Sequence, residues 1–282
     1  MHVICLLSQK GGAGKSTVVQ SLAVCAGQHG QNTLIVELDP QGTLKDWSKR
    51  RKADSPAVLQ TLPQSIGDVL DDACKRGVDW VFIDTPGHHN PVAIAAASYA
   101  DVILIPCKIL SMKDVDAILP TIAEAERSQK PAFVVMNQVP PNAPKLVRKR
   151  QVKIQEDYGI KVLSLCLSRR ADFEYCDEHG LSAAEYNPHG AAAAEIQKLY
   201  VLVQAILHIA KVDDEAPDQV TSADVPESNQ REDTLPHEPF RPEVITPQPE
   251  VAQSLQPREV EVSGTNEVLR SGIPEASTET KD

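Results

Sequence analysis

The strongest constraint on the fold is a glycine-rich stretch near the amino terminus, residues 8–17, with the sequence SQKGGAGKST. A short apolar run, residues 3–7, precedes it, and residues 16 to about 28 have the pattern of a helix. Backbone N–H groups of such a turn point inward, and the unpaired N–H groups and dipole of the following helix favour negative charge. A strand, a glycine-rich turn and a helix in this order are typical of a site that holds the phosphates of a nucleotide.

Individual residues of the stretch indicate which kind of phosphate site this is. Lys15 adds a positive charge to the loop, and the Ser16 hydroxyl can hold Mg²⁺. The plain pattern asks for glycine at position 9, where this chain has Gln9. Lys10 follows as a second lysine at the mouth of the loop, and its simplest alternative interpretation is a solvated loop side chain.

Short apolar runs alternate with helical patterns through residues 1–212. The runs lie at 3–7, 33–38, 78–83, 102–106, 132–136 and 162–167. Because they are apolar throughout instead of alternating, they suit strands that are buried on both faces of a parallel sheet. The sequence therefore predicts an α/β fold, a mostly parallel open sheet flanked by helices on both faces.

Polar side chains follow three of these runs. Asp39 comes after the second run, Asp84 after the third and Asn137 after the fifth. Any one of them could be a turn residue, but ligands of open sheets bind beyond the carboxyl ends of the strands, where the phosphate loop also lies. Because Mg²⁺ prefers oxygen ligands, we expect Asp84 to hold the coordination shell of this ion. We expect Asp39 to orient or activate the attacking water.

The charge of the chain is divided unevenly. Residues 213–282 contain 17 acidic and 5 basic side chains, whereas residues 1–212 contain 22 and 23. The last segment also holds nine of the 21 prolines and one aromatic residue. Such a segment buries too little apolar surface to offset its ordering entropy, so we expect a disordered, acidic, proline-rich tail at 213–282 after one domain at 1–212; a second folded domain is the alternative.

Cysteine usage and hydropathy exclude several classes of protein. The six cysteines are scattered without a C-x-x-C pair, which argues against a disulfide framework and against zinc or iron–sulfur sites. No apolar run approaches the roughly 18 residues of a membrane span, and no signal peptide is recognisable. The sequence therefore predicts a soluble, intracellular protein.

Three segments together resemble the ParA/MinD family of ATPases, which are P-loop NTPases of the deviant Walker A type. Residues 10–17 resemble the family's deviant Walker A loop, residues 37–42 its D-x-D-P-Q motif, and residues 82–86 its Walker B segment. Glu37 stands where the family usually has its first aspartate, which keeps the charge but lengthens the side chain. The similarity extends over about residues 1–210.

The resemblance implies ATP and Mg²⁺ as the bound species and a role for each matching residue. Lys10 matches the signature lysine that reaches the partner's ATP, Lys15 the lysine on the β- and γ-phosphates, and Asp39 the aspartate that activates water. These three are the expected catalytic residues. The remaining matches are the phosphate-loop residues Gly11, Gly12, Ala13, Gly14 and Thr17, the Mg²⁺ ligand Ser16, the outer-shell residue Asp84 and the adenine-reading Asn137.

The physical logic of Lys10 agrees with the resemblance. A mobile ammonium that serves the phosphates of a neighbouring subunit completes the site only when two subunits clasp two ATP molecules. ATP then becomes the switch for an ATP-dependent homodimer, and hydrolysis releases it. ATP is expected in preference to GTP because Gln138-Val139-Pro140 follows Asn137, where a guanine motif would read Asn-Lys-x-Asp.

A basic cluster suggests where DNA could bind. It lies on a predicted helix, about residues 144–157, and at the start of the helical segment after the sixth apolar run. A solvated helix face is the ordinary interpretation of such a cluster, but the resemblance implies ATP-dependent binding of non-specific DNA, which would use phosphate contacts. The candidate residues are Lys145, Arg148, Lys149, Arg150, Lys153, Arg169 and Arg170.

Together these observations predict a small ParA-like ATPase that segregates plasmid or chromosomal DNA. A DNA-bound, ParB-like adaptor would stimulate its hydrolysis, and the protein would be cytoplasmic and associated with the nucleoid when ATP is bound. An acidic tail would be repelled by an anionic membrane, so no membrane partner is expected. Two alternatives stay open: an accessory ATPase of conjugative DNA transfer or positioner of protein cargo, and a nucleotide-dependent scaffold that acts through its acidic tail.

Overall fold

The structure, a computed structural model, describes residues 1–87 and 91–214, with side chains as far as Ile209. The predicted tail therefore lies almost entirely outside the described residues. The strands are β1 (His2–Leu6), β2 (Thr33–Glu37), β3 (Ala57–Gln60), β4 (Trp80–Asp84), β5 (Val102–Lys108), β6 (Ala132–Val139) and β7 (Lys161–Ser168). The helices are α1 (Lys15–Gln28), α2 (Thr43–Arg50), α3 (Ile66–Lys75), α4 (Pro91–Ser98), α5 (Met112–Asp116), α6 (Leu119–Arg127), α7 (Pro144–Tyr158), α8 (Asp172–Glu178), α9 (Ala183–Tyr186) and α10 (Ala191–Asp214).

The strands form one parallel sheet in the order β3-β2-β4-β1-β5-β6-β7, which confirms the predicted α/β class. Strand β1 is central, and its last residue, Leu6, is in register with Asp84 on one side and Leu104 on the other. The loop that follows β1 is therefore flanked by the carboxyl ends of β4 and β5. Open α/β sheets bind their ligands at this edge, beyond the carboxyl ends of the strands.

The core has two layers, one on each face of the sheet. Helices α3 to α7 cover one face, with Ile122 and Ile154 among the side chains that are fully or almost fully buried there. Helices α1, α2 and α10 cover the other face, where Trp47 and Leu199 are completely buried. Apolar strand residues thus find partners on both faces, which explains why the runs are apolar throughout.

Helix α10 packs against the sheet through one apolar face. Ile196, Leu199 and Val203 are fully buried and Leu207 nearly so, whereas Val201 and Ile209 are exposed. By length and composition alone, Ala191–Ile209 could cross a membrane, with 39% of its apolar window buried in the fold. Core helices of soluble proteins pass the same test, and the buried residues of α10 form an apolar face of that kind.

Some details of the predicted secondary structure are wrong. Strand β3 is absent from the predicted runs, because it lies at the sheet edge and buries only the first of its four residues. Asn137 lies within β6, which continues to Val139, instead of following the strand. Arg169 and Arg170 precede helix α8 instead of opening it, since the Arg169 N–H still donates to the Val139 carbonyl (2.7 Å) and prolongs the pairing of β6 with β7.

Candidate functional site

The loop between β1 and α1 has the backbone of a phosphate cradle. Gly12 and Gly14 both lie in the left-handed region, with φ of 71° and 91°. Helix α1 begins directly after Gly14, which has no side chain to cap the first N–H groups of the helix. Those N–H groups and the helix dipole therefore remain available to an anion at the mouth of the loop.

The end of β6 braces this loop from one side. The Asn137 Nδ2 donates to the Ala13 carbonyl (2.8 Å), and the Gln138 Nε2 donates to the Gly12 carbonyl (3.0 Å). A β-carbon on Gly14 would lie 2.3 Å from Asn137 Nδ2, so only glycine fits this approach. Asn137 is buried, and its Oδ1 accepts the Gln138 N–H (2.8 Å). Its amide holds the loop in this structure, and a contact with adenine stays a prediction.

Ser16 and Asp84 form the centre of the site. The Ser16 Oγ donates to Asp84 Oδ2 at 2.5 Å, across the gap between the start of α1 and the end of β4. Asp84 is almost completely buried, and its Oδ1 has no hydrogen-bond partner among the described residues. Desolvation raises the pKa of Asp84 to about 7, although Ser16 and Lys15 act in the opposite direction. A buried carboxylate oxygen without a partner beside a serine hydroxyl is a donor set that fits Mg²⁺ and its water shell.

The segment after β4 covers the loop. Thr85 is fully buried, and its Oγ1 donates to the Leu6 carbonyl (2.7 Å), which ties the ends of β1 and β4 together. A β-carbon on Gly87 would lie 3.6 Å from Lys15 Nζ and 3.8 Å from the Gly11 Cα. Lys15 itself is buried, only 8% exposed. Lys15, Gly11 and Gly87 thus lie close together at the ends of β1 and β4.

Glu37 has a structural task that its sequence position did not reveal. Its two carboxylate oxygens accept the N–H groups of Leu44 (2.8 Å) and Lys45 (2.9 Å) in the first turn of α2. Desolvation raises the pKa of this fully buried carboxyl, and the two backbone hydrogen bonds oppose the rise. The longer side chain, which departs from the family's aspartate, thus reaches from β2 to the start of α2 and caps it.

Asp39 lies on the turn between β2 and α2, half-buried beside the other groups. Its Oδ1 accepts the Gln41 N–H (3.0 Å), and its carbonyl accepts a hydrogen bond from Gln60 Nε2 (3.0 Å). Glu37 lies on β2, before this turn, and its carboxylate accepts N–H groups at the start of α2, after the turn. Both ends of the segment that carries Asp39 are therefore fixed. The carboxylate expected to orient water is therefore held by its own backbone and by strand β3.

Lys10 is paired within its own subunit. Its Nζ forms an ion pair with Asp114 on α5, and the side chains are 33% and 18% exposed. Asp114 also completes a capping box with Ser111 at the start of α5. The hydrogen bond from Lys10 is the largest cause that lowers the pKa of Asp114 to about 2. Asp114 is absent from the predicted site, although the spacing Ser111-x-x-Asp114 is a recognisable helix-start signal.

The basic residues of α7 are only partly gathered on one surface. Lys145, Arg148, Lys149 and Lys153 line a shallow surface groove together with Glu156 and Asp157. Lys153 forms an ion pair with Asp157. Arg150 turns away, and its Nε donates to the Ile109 carbonyl (3.2 Å).

The two arginines after β7 have partners of their own. Arg170 forms an ion pair with Glu195 of α10 (2.6 Å), and the same carboxylate accepts the Ser168 N–H and Oγ. Arg169 is exposed and lies 3.4 Å from Glu174. Lys145, Arg148 and Lys149 form no ion pair among the described residues, so they are the most available cations of the predicted cluster.

A family model and several known proteins match this chain. The model of the CobQ/CobB/MinD/ParA nucleotide binding domain matches residues 4–183. The chromosome-partitioning ATPase Soj of Thermus thermophilus is 22% identical over 236 residues, which covers 72% of this chain and 95% of that protein. Soj of Treponema pallidum is 22% identical over 235 residues and covers 68% and 93%. The septum site-determining protein MinD of Pyrococcus horikoshii, solved with Mg-ADP, has the same fold, with a TM-score of 0.58, 16% identity and coverage of 74% and 98%.

Proposed function

The chain belongs to the CobQ/CobB/MinD/ParA family of nucleotide-binding domains, and from this premise we propose that it is a ParA-like ATPase. It binds ATP with Mg²⁺, forms a homodimer on ATP and binds DNA without sequence preference. A DNA-bound, ParB-like adaptor stimulates hydrolysis, and the cycle segregates plasmid or chromosomal DNA. The ATP-bound protein associates with the nucleoid in the cytoplasm. The observation that carries the proposal is the Ser16–Asp84 pair beside the glycine-rich loop.

In the proposal, each residue of this donor set has a position around the triphosphate. Ser16 Oγ, once released from Asp84, would be a ligand for Mg²⁺, and the buried carboxylate of Asp84 would hold the water molecules around the ion. Bound there, Mg²⁺ neutralises charge that develops on the phosphate oxygens. The N–H groups of the loop and of the start of α1 hold the phosphates. Lys15 adds its positive charge from its position near Gly87.

The catalytic roles follow from where charge and protons are needed. Asp39 orients the attacking water, since its turn is fixed by Gln60 on one side and by the capped start of α2 on the other. Lys15 stabilises the γ-phosphoryl group as it is transferred. Phosphoryl transfer depends mainly on such positioned charges, so few groups suffice.

Lys10 connects the nucleotide to the dimer. In the proposed cycle it leaves Asp114 and contacts the phosphates of the partner's ATP, which joins two subunits through two nucleotides. The observed ion pair with Asp114 supports an exchange of partners, because the lysine already has an anionic contact that a phosphate can replace. Loss of the γ-phosphate then removes the contact and separates the subunits.

DNA contacts in the proposal come from the α7 surface. Lys145, Arg148 and Lys149 supply phosphate contacts, whereas Lys153 and Arg170 contribute only by exchanging their carboxylate partners. Contacts of this kind carry no base readout and weaken as salt increases.

The proposal is tested by measuring ATP hydrolysis by the full chain with Mg²⁺, alone, with non-specific DNA, and with DNA plus the DNA-binding product of a neighbouring gene. We expect slow hydrolysis alone and the fastest rate in the last mixture. Asp84→Asn, which preserves shape, should remove the Mg²⁺-dependent rate. A wild-type rate equal to that of Lys15→Ala would contradict ATPase activity, and an absence of DNA binding at low salt with AMPPNP would contradict the DNA part alone.

A further inference from the structure

A third lysine lies at the phosphate loop. Lys108, the last residue of β5, is half-buried, and its Nζ lies 3.6 Å from the point where a β-carbon on Gly12 would be. Its strand neighbour in register is Asn137, whose amide donates to the Ala13 carbonyl. The ends of β5 and β6 thus approach consecutive residues of the loop, and Lys108 is the member of this group that carries a charge.

The three lysines around the loop differ in their partners. Lys10 is neutralised by Asp114, and the buried Lys15 interacts with the charge of Asp84. Lys108 forms no ion pair with the side chains described at residues 1–87 and 91–209. The loop beside Lys108 has N–H groups that favour negative charge and provides no anion of its own, so a bound anion could contact both the loop and this lysine.

From this arrangement we propose that Lys108 is a phosphate ligand of the bound nucleotide, an additional cation on the β5 side of the loop. The inference rests on the proposed function, because the anion that Lys108 contacts is the phosphate chain of ATP or ADP. Lys15 lies near Gly87, on the β4 side of β1, whereas Lys108 lies on the β5 side. The two lysines therefore hold the phosphates from two sides. Lys10, once it leaves Asp114, remains the lysine that serves the partner subunit.

The chain offers a matched set of variants. Lys108→Met and Lys108→Gln remove the charge but keep most of the side chain, whereas Lys108→Arg keeps the charge. Lys113→Met removes the charge of an exposed lysine on neighbouring α5 and serves as the control. Dissociation constants of Mg-AMPPNP and Mg-ADP are measured by fluorescence-labelled nucleotide displacement at low and high salt, and urea unfolding of the nucleotide-free variants reports on folding.

We expect both uncharged Lys108 variants to weaken AMPPNP and ADP binding by about tenfold at low salt, the contribution of one charge-assisted hydrogen bond. The loss should shrink at high salt, because the missing contact is ionic. Lys108→Arg should regain most of the affinity, and Lys113→Met should bind as the wild type does.

Affinities of Lys108→Met and Lys108→Gln within twofold of the wild type would overturn the inference. An equal loss in Lys108→Met and Lys108→Arg, with unchanged salt dependence and weaker folding of both, would also overturn it, since that pattern marks a packing role. In either case the wild type still binds nucleotide and the proposed function stands. A wild-type chain that binds neither nucleotide would instead overturn the proposed function and this inference with it.

Discussion

The ion pair between Lys10 and Asp114 can be tested as a barrier to dimerisation. If Lys10 must leave Asp114 to reach the partner's nucleotide, then Asp114→Asn should strengthen the ATP-dependent dimer. Asparagine keeps the shape of the side chain and an oxygen that can accept the Ser111 hydrogen bonds at the start of α5. It removes only the charge that Lys10 faces.

The size of the effect follows from the pKa of Asp114, which falls from 3.8 to about 2. The full shift corresponds to about 2.5 kcal/mol. Part of this pKa shift comes from the hydrogen bonds with Ser111, and the Lys10 side chain is one-third exposed. After allowing for solvent screening, the ion pair contributes about 1 kcal/mol to the stability of the separate subunit. Because the folded pKa lies below the unfolded value, this contribution is complete above about pH 4 and is lost as the pH falls toward 2, so an assay at neutral pH measures all of it.

Each dimer breaks two such pairs, so Asp114→Asn should tighten dimerisation by about 2 kcal/mol, on the order of thirtyfold. The assay is sedimentation equilibrium of the full chain with Mg-AMPPNP over a range of protein concentrations. Ser111→Ala is the control, because it weakens the helix cap and leaves the ion pair in place. It should change the dimer constant little.

A weaker dimer in Asp114→Asn, together with an unchanged dimer in Ser111→Ala, would refute the reasoning, since the ion pair would then belong to the dimer itself. An unchanged constant in both variants would show that Lys10 does not exchange partners.

Three further predictions concern separate parts of the molecule. Lys15→Ala should abolish nucleotide binding in a calorimetric titration, whereas Lys10→Ala should bind ATP but stay monomeric; normal dimerisation of Lys10→Ala would contradict the cross-subunit role. Glu37→Ala should lower the free energy of unfolding by about 2–4 kcal/mol in urea, because two N–H groups of α2, one of them buried, lose their acceptor. Glu37→Gln should lose less, and equal losses would contradict the capping role. Glutamate at both Arg148 and Lys149 should weaken binding to every DNA sequence and reduce the salt slope by about 2, with Lys75→Glu on α3 as the control; an unchanged slope would place the DNA site elsewhere.

The sequence by itself determined the class of fold and the place of a glycine-rich loop between the first strand and the first helix. Apolar runs buried on both faces predict a parallel sheet, and a glycine-rich turn between a strand and a helix is a local pattern, so both are readable without coordinates. The carboxylates Asp39 and Asp84 were also predicted, because the ends of parallel strands meet at one edge. The short edge strand β3 escaped, since an edge strand buries too little to have an apolar signature.

Only the tertiary structure decided which charges meet. Lys10 and Asp114 are far apart in sequence, and Lys108 approaches Gly12 only because β5 lies beside β1 in the sheet. Glu37 departs from the aspartate that the family usually has at this position. Its longer side chain is explained by its contacts, which reach from β2 to the start of α2. Spacing along the chain predicts the local glycine-rich turn, but the order of strands in the sheet determines which side chains surround it.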